Sequence, residues 1–237
     1  MRLASLHAHV VDLYRRRPRV TLFVLYWLIS LITRGYLMGV PILDVDEATH
    51  IVGSWQWMRG EPLYVGFVDN KPPLLYVFYA LAQVLFGRGT LAVHILTVML
   101  VVPLTALGVS AFFRHDRRGV IAGITFLIFS ASYLAHDMHA TNCEILMLLP
   151  ATWAVVAVRD GERARRTGWL FWSGILLGLA MLFKQQALSW LPALMLAVVL
   201  VRGGARRLPV LFWGVALPLL GTWAIFAGQG IGQDFLY

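Results

Sequence analysis

Residues 15–40 read RRRPRVTLFVLYWLISLITRGYLMGV, a cationic cluster followed by an apolar run from 20 to 40. That run is as long as the roughly 20 residues an α-helix needs to cross a bilayer. It exceeds the h-region of a signal peptide, and no small-residue cleavage site follows 36–41, so it predicts an uncleaved anchor. Working outward, further apolar runs at 91–113, 119–135, 143–158, 169–183, 187–201 and 208–227 predict six more spans. Composition agrees: 59% of the 237 residues are hydrophobic and only 14% charged, against roughly 45–50% and 25% in soluble domains. The expected fold is an all-α, polytopic transmembrane bundle of about seven spans. It forms a single membrane domain with a cytoplasmic tail (1–19), a long outer loop (41–90) and the remaining spans (91–228).

The segment 74–86 is apolar but well short of a bilayer's thickness. Charge decides how to place it. If it lies at the surface, the clusters Arg15–Arg19, Arg114–Arg118, Arg159–Arg166 and Arg202–Arg207 all fall on one side. With Arg2 they hold fifteen of the 20 basic residues. If it spans, the last ten of these change sides, against the positive-inside rule. The loop is therefore expected to carry interfacial helices, with the N-terminus in the cytoplasm. The net charge of +8 follows from topology, and no nucleic-acid partner is expected.

Eight of the 12 acids fall on the outer side. Asp44, Asp46 and Glu47 open the outer loop. Three carboxylates within four residues suit a general base, or oxygen ligands for a divalent cation; one of them could instead cap a helix running through Ala48, Ile51, Trp55 and Met58. In Asn70-Lys71-Pro72-Pro73, the prolines start a helix and leave Lys71 just before its first turn. An anion site and a snorkelling anchor are both open for that lysine. Glu144 begins an apolar helix, and Lys184 sits between two apolar runs, both at outer ends. Charges at such depth usually face a cavity or a partner.

Asp46-Glu47, Arg59-Gly60-Glu61-Pro62-Leu63-Tyr64, Asp69-Asn70-Lys71-Pro72-Pro73-Leu74-Leu75-Tyr76 and Leu85-Phe86-Gly87 together resemble the first periplasmic loop of GT-C membrane glycosyltransferases. The nearest likeness is to the glycosyltransferase family 39 branch of protein O-mannosyltransferase relatives and the lipid A aminoarabinose transferase. The run 174–184, a Gly-rich helix ending in Lys184, and Ala140-Thr141-Asn142-Cys143-Glu144 resemble further patterns of that branch. The resemblance implies transfer of a sugar, with inversion, from a polyprenyl-phosphate donor. The acceptor would be a glycan, lipid or protein outside the cytoplasm of a bacterium, at its inner membrane. It makes Asp46 the base with Glu47 beside it. Lys71 and Lys184 would bind the donor phosphate, and Asp44, Glu144 and Tyr64 would line the cavity. Family members are longer, so the chain is expected to be truncated relative to them.

His136-Asp137-Met138-His139 reads either as a polar turn or as a transition-metal pair. The single Cys143 excludes a disulfide framework. The rival class is a non-catalytic polyprenyl-phosphate-binding or transport-type membrane protein. A carrier places its charges near the midplane, whereas these cluster at one face around a long loop.

Overall fold

The computed structural model describes residues 12–65, 69–132, 139–164, 166–200 and 204–233. All regular elements among them are helices. Helix α1 (Pro18–Arg34) runs on through a 3-10 segment to Gly39. It is followed by α2 (Val45–Met58), α3 (Pro73–Phe86), α4 (Thr90–Phe112) and α5 (Arg117–Ser132). The chain continues through α6 (Cys143–Ala164), α7 (Gly168–Phe183), α8 (Trp190–Val199) and α9 (Leu208–Gly228). Proline stands in the opening turn of α1, α3 and α9, where its missing N–H costs nothing. Inside α4 the ladder widens to a π-helical turn at Thr97–Val101, just ahead of Pro103, which cannot donate to the preceding turn.

Each of the seven apolar runs forms a helix over its described residues, and among the described residues three helical stretches are long and apolar enough to cross a membrane: Pro18–Gly39, Thr90–Phe112 and Gly204–Gly228. The all-helical expectation is met, and three of the expected seven spans are matched by length and apolarity. Length and charge set the others apart. Helix α7 has 16 residues, about 24 Å at 1.5 Å per residue. Helix α6 has 22 but carries Arg159, Asp160 and Arg163 toward its end. Helix α3 has 14 residues, about 21 Å, and is shorter still.

Helix α4 is central: 67% of its apolar window is buried, against 28% for α1 and 22% for α9. One core joins α1, α3, α4, α5 and the start of α6 through Leu22, Tyr26, Tyr79, Val102, Leu127 and Leu146. A second joins the rest of α6 to α7, α8 and α9 through Ala154, Leu177, Val198 and Leu211. Helices α7 and α9 meet backbone to backbone. A Cβ on Gly174 would lie 2.2 Å from the Leu211 carbonyl oxygen, and one on Gly214 2.3 Å from that of Phe171. Small residues permit this close approach where lipid gives helices no hydrophobic reason to associate. Ile32, Phe129, Leu200 and Trp213 instead face outward and are more than two-thirds exposed, as suits a hydrocarbon surround.

Candidate active site

The outer loop folds as α2, a turn and α3. Asp44 is the N-cap of α2; its Oδ1 accepts from the Asp46 N–H at 3.4 Å and its Oδ2 from the Asn142 amide at 3.1 Å. The cap therefore belongs to Asp44 alone, and it ties α2 to the start of α6. Asp46, in the first turn, stays 55% exposed and lies 3.5 Å from the Lys71 ammonium. Burial by itself would lower the Lys71 pKa, but Cys143, Asp46 and Asp69 around it offset that, and it is raised. Lys71 is thus a held cation.

Glu47 does not join its neighbours. It is fully buried, with Oε1 2.7 Å from His94 Nε2 and accepting from the Thr141 N–H at 3.1 Å, while Oε2 accepts from the Leu43 N–H at 3.4 Å. His94 Nδ1 faces the Leu37 carbonyl at 2.9 Å. A carbonyl only accepts, so Nδ1 carries the proton and Nε2 shares one with Glu47. Glu47, expected beside Asp46 in catalysis and as a third cation ligand, is thus placed against His94 in the core. Successive helical residues point about 100° apart, so Glu47 turns into the core when Asp46 turns out. Among the described residues, no group of three His, Cys, Asp or Glu side chains is placed to hold a metal ion.

The Lys71 loop is fastened at several points. The Tyr64 hydroxyl donates to the Lys71 carbonyl at 2.7 Å, and Gln185, just past α7, donates to the Asn70 carbonyl at 3.0 Å. Tyr64 sits at φ +70°, the left-handed region, a strain that persists only where surroundings enforce it. It packs on Tyr76 and Phe226, and burial raises its pKa, so it keeps the proton it donates. Asp69 accepts from the Tyr76 hydroxyl. Behind Asp46, four positions along α2, His50 is 1% exposed and 3.7 Å from Asp69, with no hydrogen-bond partner on either ring nitrogen. Burial, the largest effect, lowers its pKa.

On the facing helices, Glu144 and Lys184 form an ion pair that clamps the start of α6 to the end of α7. The Cys143 thiol, which donates to Glu144 at 3.3 Å, is within electrostatic reach of both Lys184 and Lys71. Asp44, Asp46, Lys71, Tyr64, Glu144 and Lys184 therefore converge on one end of the bundle.

A model of the dolichyl-phosphate-mannose-protein mannosyltransferase family matches residues 70–226. The chain belongs to this family. These are membrane glycosyltransferases of the GT-C type, which implies a sugar donor and an acceptor. No curated protein and no solved structure matches the chain. The matched mannosyltransferase region contains Lys71, Glu144 and Lys184, whereas Asp44, Asp46 and Glu47 precede it.

Four residues around this candidate site were given no role from sequence: His50, Asp69, His94 and Asn142. Asp69 and Asn142 stand in the motifs that carry the family resemblance, and the spacing of four from Asp46 puts His50 on the same helical face. His94 and Asn142 act through partners between 47 and 98 positions away, and Asp69 through loop geometry. His136 and Asp137 lie outside the described residues; His139 donates Nε2–H to the Ala131 carbonyl at 2.6 Å.

Proposed function

We propose that the chain transfers a sugar from a polyprenyl-phosphate donor to a hydroxyl-bearing acceptor at the outer membrane face, with inversion at the anomeric carbon. One observation carries this: a half-exposed carboxylate, Asp46, 3.5 Å from a partly buried ammonium, Lys71, at the end of the bundle. A lipid donor enters sideways, and its phosphate replaces Asp46 as the partner of Lys71. The freed carboxylate accepts the acceptor's hydroxyl proton as that oxygen attacks the anomeric carbon. The carbon–oxygen bond to phosphate breaks and polyprenyl phosphate leaves against Lys71. Asp44, Tyr64 and the Glu144–Lys184 pair line the cavity and hold its geometry. Lys184 acts on the phosphate only when Glu144 yields it. Glu47 supports Asp46 from the core.

In this reading the seven helices other than α2 and α3 are spans of a single membrane domain in a bacterial inner membrane. The arginine-rich ends and the N-terminus are cytoplasmic, and the acceptor is a glycan, lipid or protein. The test is donor binding and sugar transfer in reconstituted vesicles. A charge-assisted contact in a partly dry site is worth about 1.5–3 kcal/mol, so Lys71→Ala should weaken donor binding roughly ten- to a hundredfold. Unchanged donor affinity would remove Lys71 from the site and sink the reading.

A further inference from the structure

A cavity of about 530 Å³ opens between α6 and α8. Helix α6 lines it with Val155, Val158, Arg159 and Arg163, and α8 with Trp190, Ala193, Leu194 and Ala197. Both sets recur at steps of three and four, so each is one face of its helix. The walls are apolar, and the small side chains of Ala193 and Ala197 leave the slot open to the surround. From Val155 to Arg163 it runs about 12 Å, most of the roughly 15 Å that is half a bilayer's hydrocarbon core. Charge stands at one end only. Arg159 is spent: it donates to the Ala111 and Phe112 carbonyls and pairs with Asp160. Arg163, one turn further on, is exposed and belongs to no ion pair among the described residues. The charges within electrostatic reach of it are Arg114, just past α4, with Arg159 and Asp160. One acid against three arginines leaves the rim in need of an anion. This rim is remote from the donor site, because Arg163 follows Glu144 by 19 positions, about 28 Å along α6. An apolar slot about one leaflet deep beneath a cationic rim is complementary to a lipid whose chain fills the slot and whose phosphate meets the rim. A zwitterionic lipid would fill the slot and leave the charge unanswered.

We infer that the groove between α6 and α8 binds an anionic phospholipid of the membrane, its acyl chain along the facing stripes of the two helices and its phosphate against Arg163. Only the assignment of this lipid to the cytoplasmic leaflet rests on the reading of function above.

The experiment is photo-labelling of the full chain in phosphatidylcholine vesicles. Two lipids with the same diazirine-bearing acyl chain, one a phosphatidylglycerol and one a phosphatidylcholine, are supplied in equal amounts, and the labelled peptides are mapped. Labelling at 155–163 and 190–197 should favour the phosphatidylglycerol about fivefold, the scale of one basic residue acting on an anionic lipid at a membrane surface. Arg163→Gln with Arg114→Gln should bring the two lipids to parity there, while Arg163→Lys with Arg114→Lys should keep the preference and show that the helices are intact. Ala193→Leu with Ala197→Leu fills the slot from the exposed face of α8 and should remove labelling by both lipids. Equal labelling by the two lipids, a preference that survives loss of both arginines, or labelling unmoved by the two leucines would overturn the inference. Cross-links between copies of the chain through this face, in place of lipid, would overturn it too. Since no transfer is measured, its failure is distinct from failure of the proposed reaction.

Discussion

Replacing Asp46 by Asn separates chemistry from architecture. The N-cap of α2 is Asp44, which accepts from the Asp46 backbone N–H, so the substitution leaves the cap untouched. What is lost from the fold is the contact with Lys71 at 3.5 Å and one negative charge in the first helical turn. With Asp46 at 55% exposure and Lys71 at 23%, solvent screening limits such a pair to about 0.2–1 kcal/mol. The helix-dipole contribution is about 0.3–1 kcal/mol. The stability cost is therefore below about 2 kcal/mol. Loss of a general base costs about 10²–10⁴ in rate, equivalent to about 3–5 kcal/mol of barrier. Transfer from a polyprenyl-phosphate sugar should fall at least a hundredfold, with donor binding retained because Lys71 remains. The assay pairs sugar transfer in reconstituted vesicles with helicity and thermal unfolding in the same preparation. Transfer within a few fold of the unsubstituted chain would refute a base role for Asp46. A rate loss matched by lost helicity would make it structural.

Glu47→Gln should cost less than Glu47→Ala. Oε1 meets both His94 Nε2 and the Thr141 N–H while Oε2 accepts from the Leu43 N–H, so the NH2 of a Gln must face one of those N–H groups and thermal unfolding should register about 1–3 kcal/mol; Ala leaves a fully buried cluster unpaired and should cost about 3–5 kcal/mol. Gly174→Leu should separate α7 from α9, since even a Cβ there meets the Leu211 carbonyl at 2.2 Å; detergent-resistant helix packing, followed by proteolysis, should be lost. Burial lowers the His50 pKa, so the unfolded chain takes up a proton below about pH 6.5 while the folded chain does not. Stability should fall as pH drops through that value and level off below the folded pKa. His50→Gln should remove this part of the slope in unfolding measured across pH, even with Asp69, Asp46, Asp44 and Lys71 still facing the position; an unchanged slope would refute it.

The helices were legible because local rules generate them. Apolar runs, opening prolines such as Pro18 and Pro73, and paired glycines such as Gly87 and Gly89 mark where each begins or turns. The candidate charges were legible too, since Asp46, Lys71, Glu144 and Lys184 interrupt sequence that is otherwise apolar or loop. Which of them meet was not. Asp46 and Lys71 come together only when α2 packs on α3, and Glu144 finds Lys184 across forty positions through the contact of α6 with α7. Likewise, three adjacent acids look alike in one dimension. Rotation by about 100° per residue, together with the buried His94 waiting on α4, sends Glu47 inward, leaves Asp46 outside and makes Asp44 the cap. Sequence thus determines where the chain is helical and where it can afford charge. Tertiary packing decides which charges share a site, because contact depends on helix phase and on neighbours remote in the chain, and neither is a property of any local stretch.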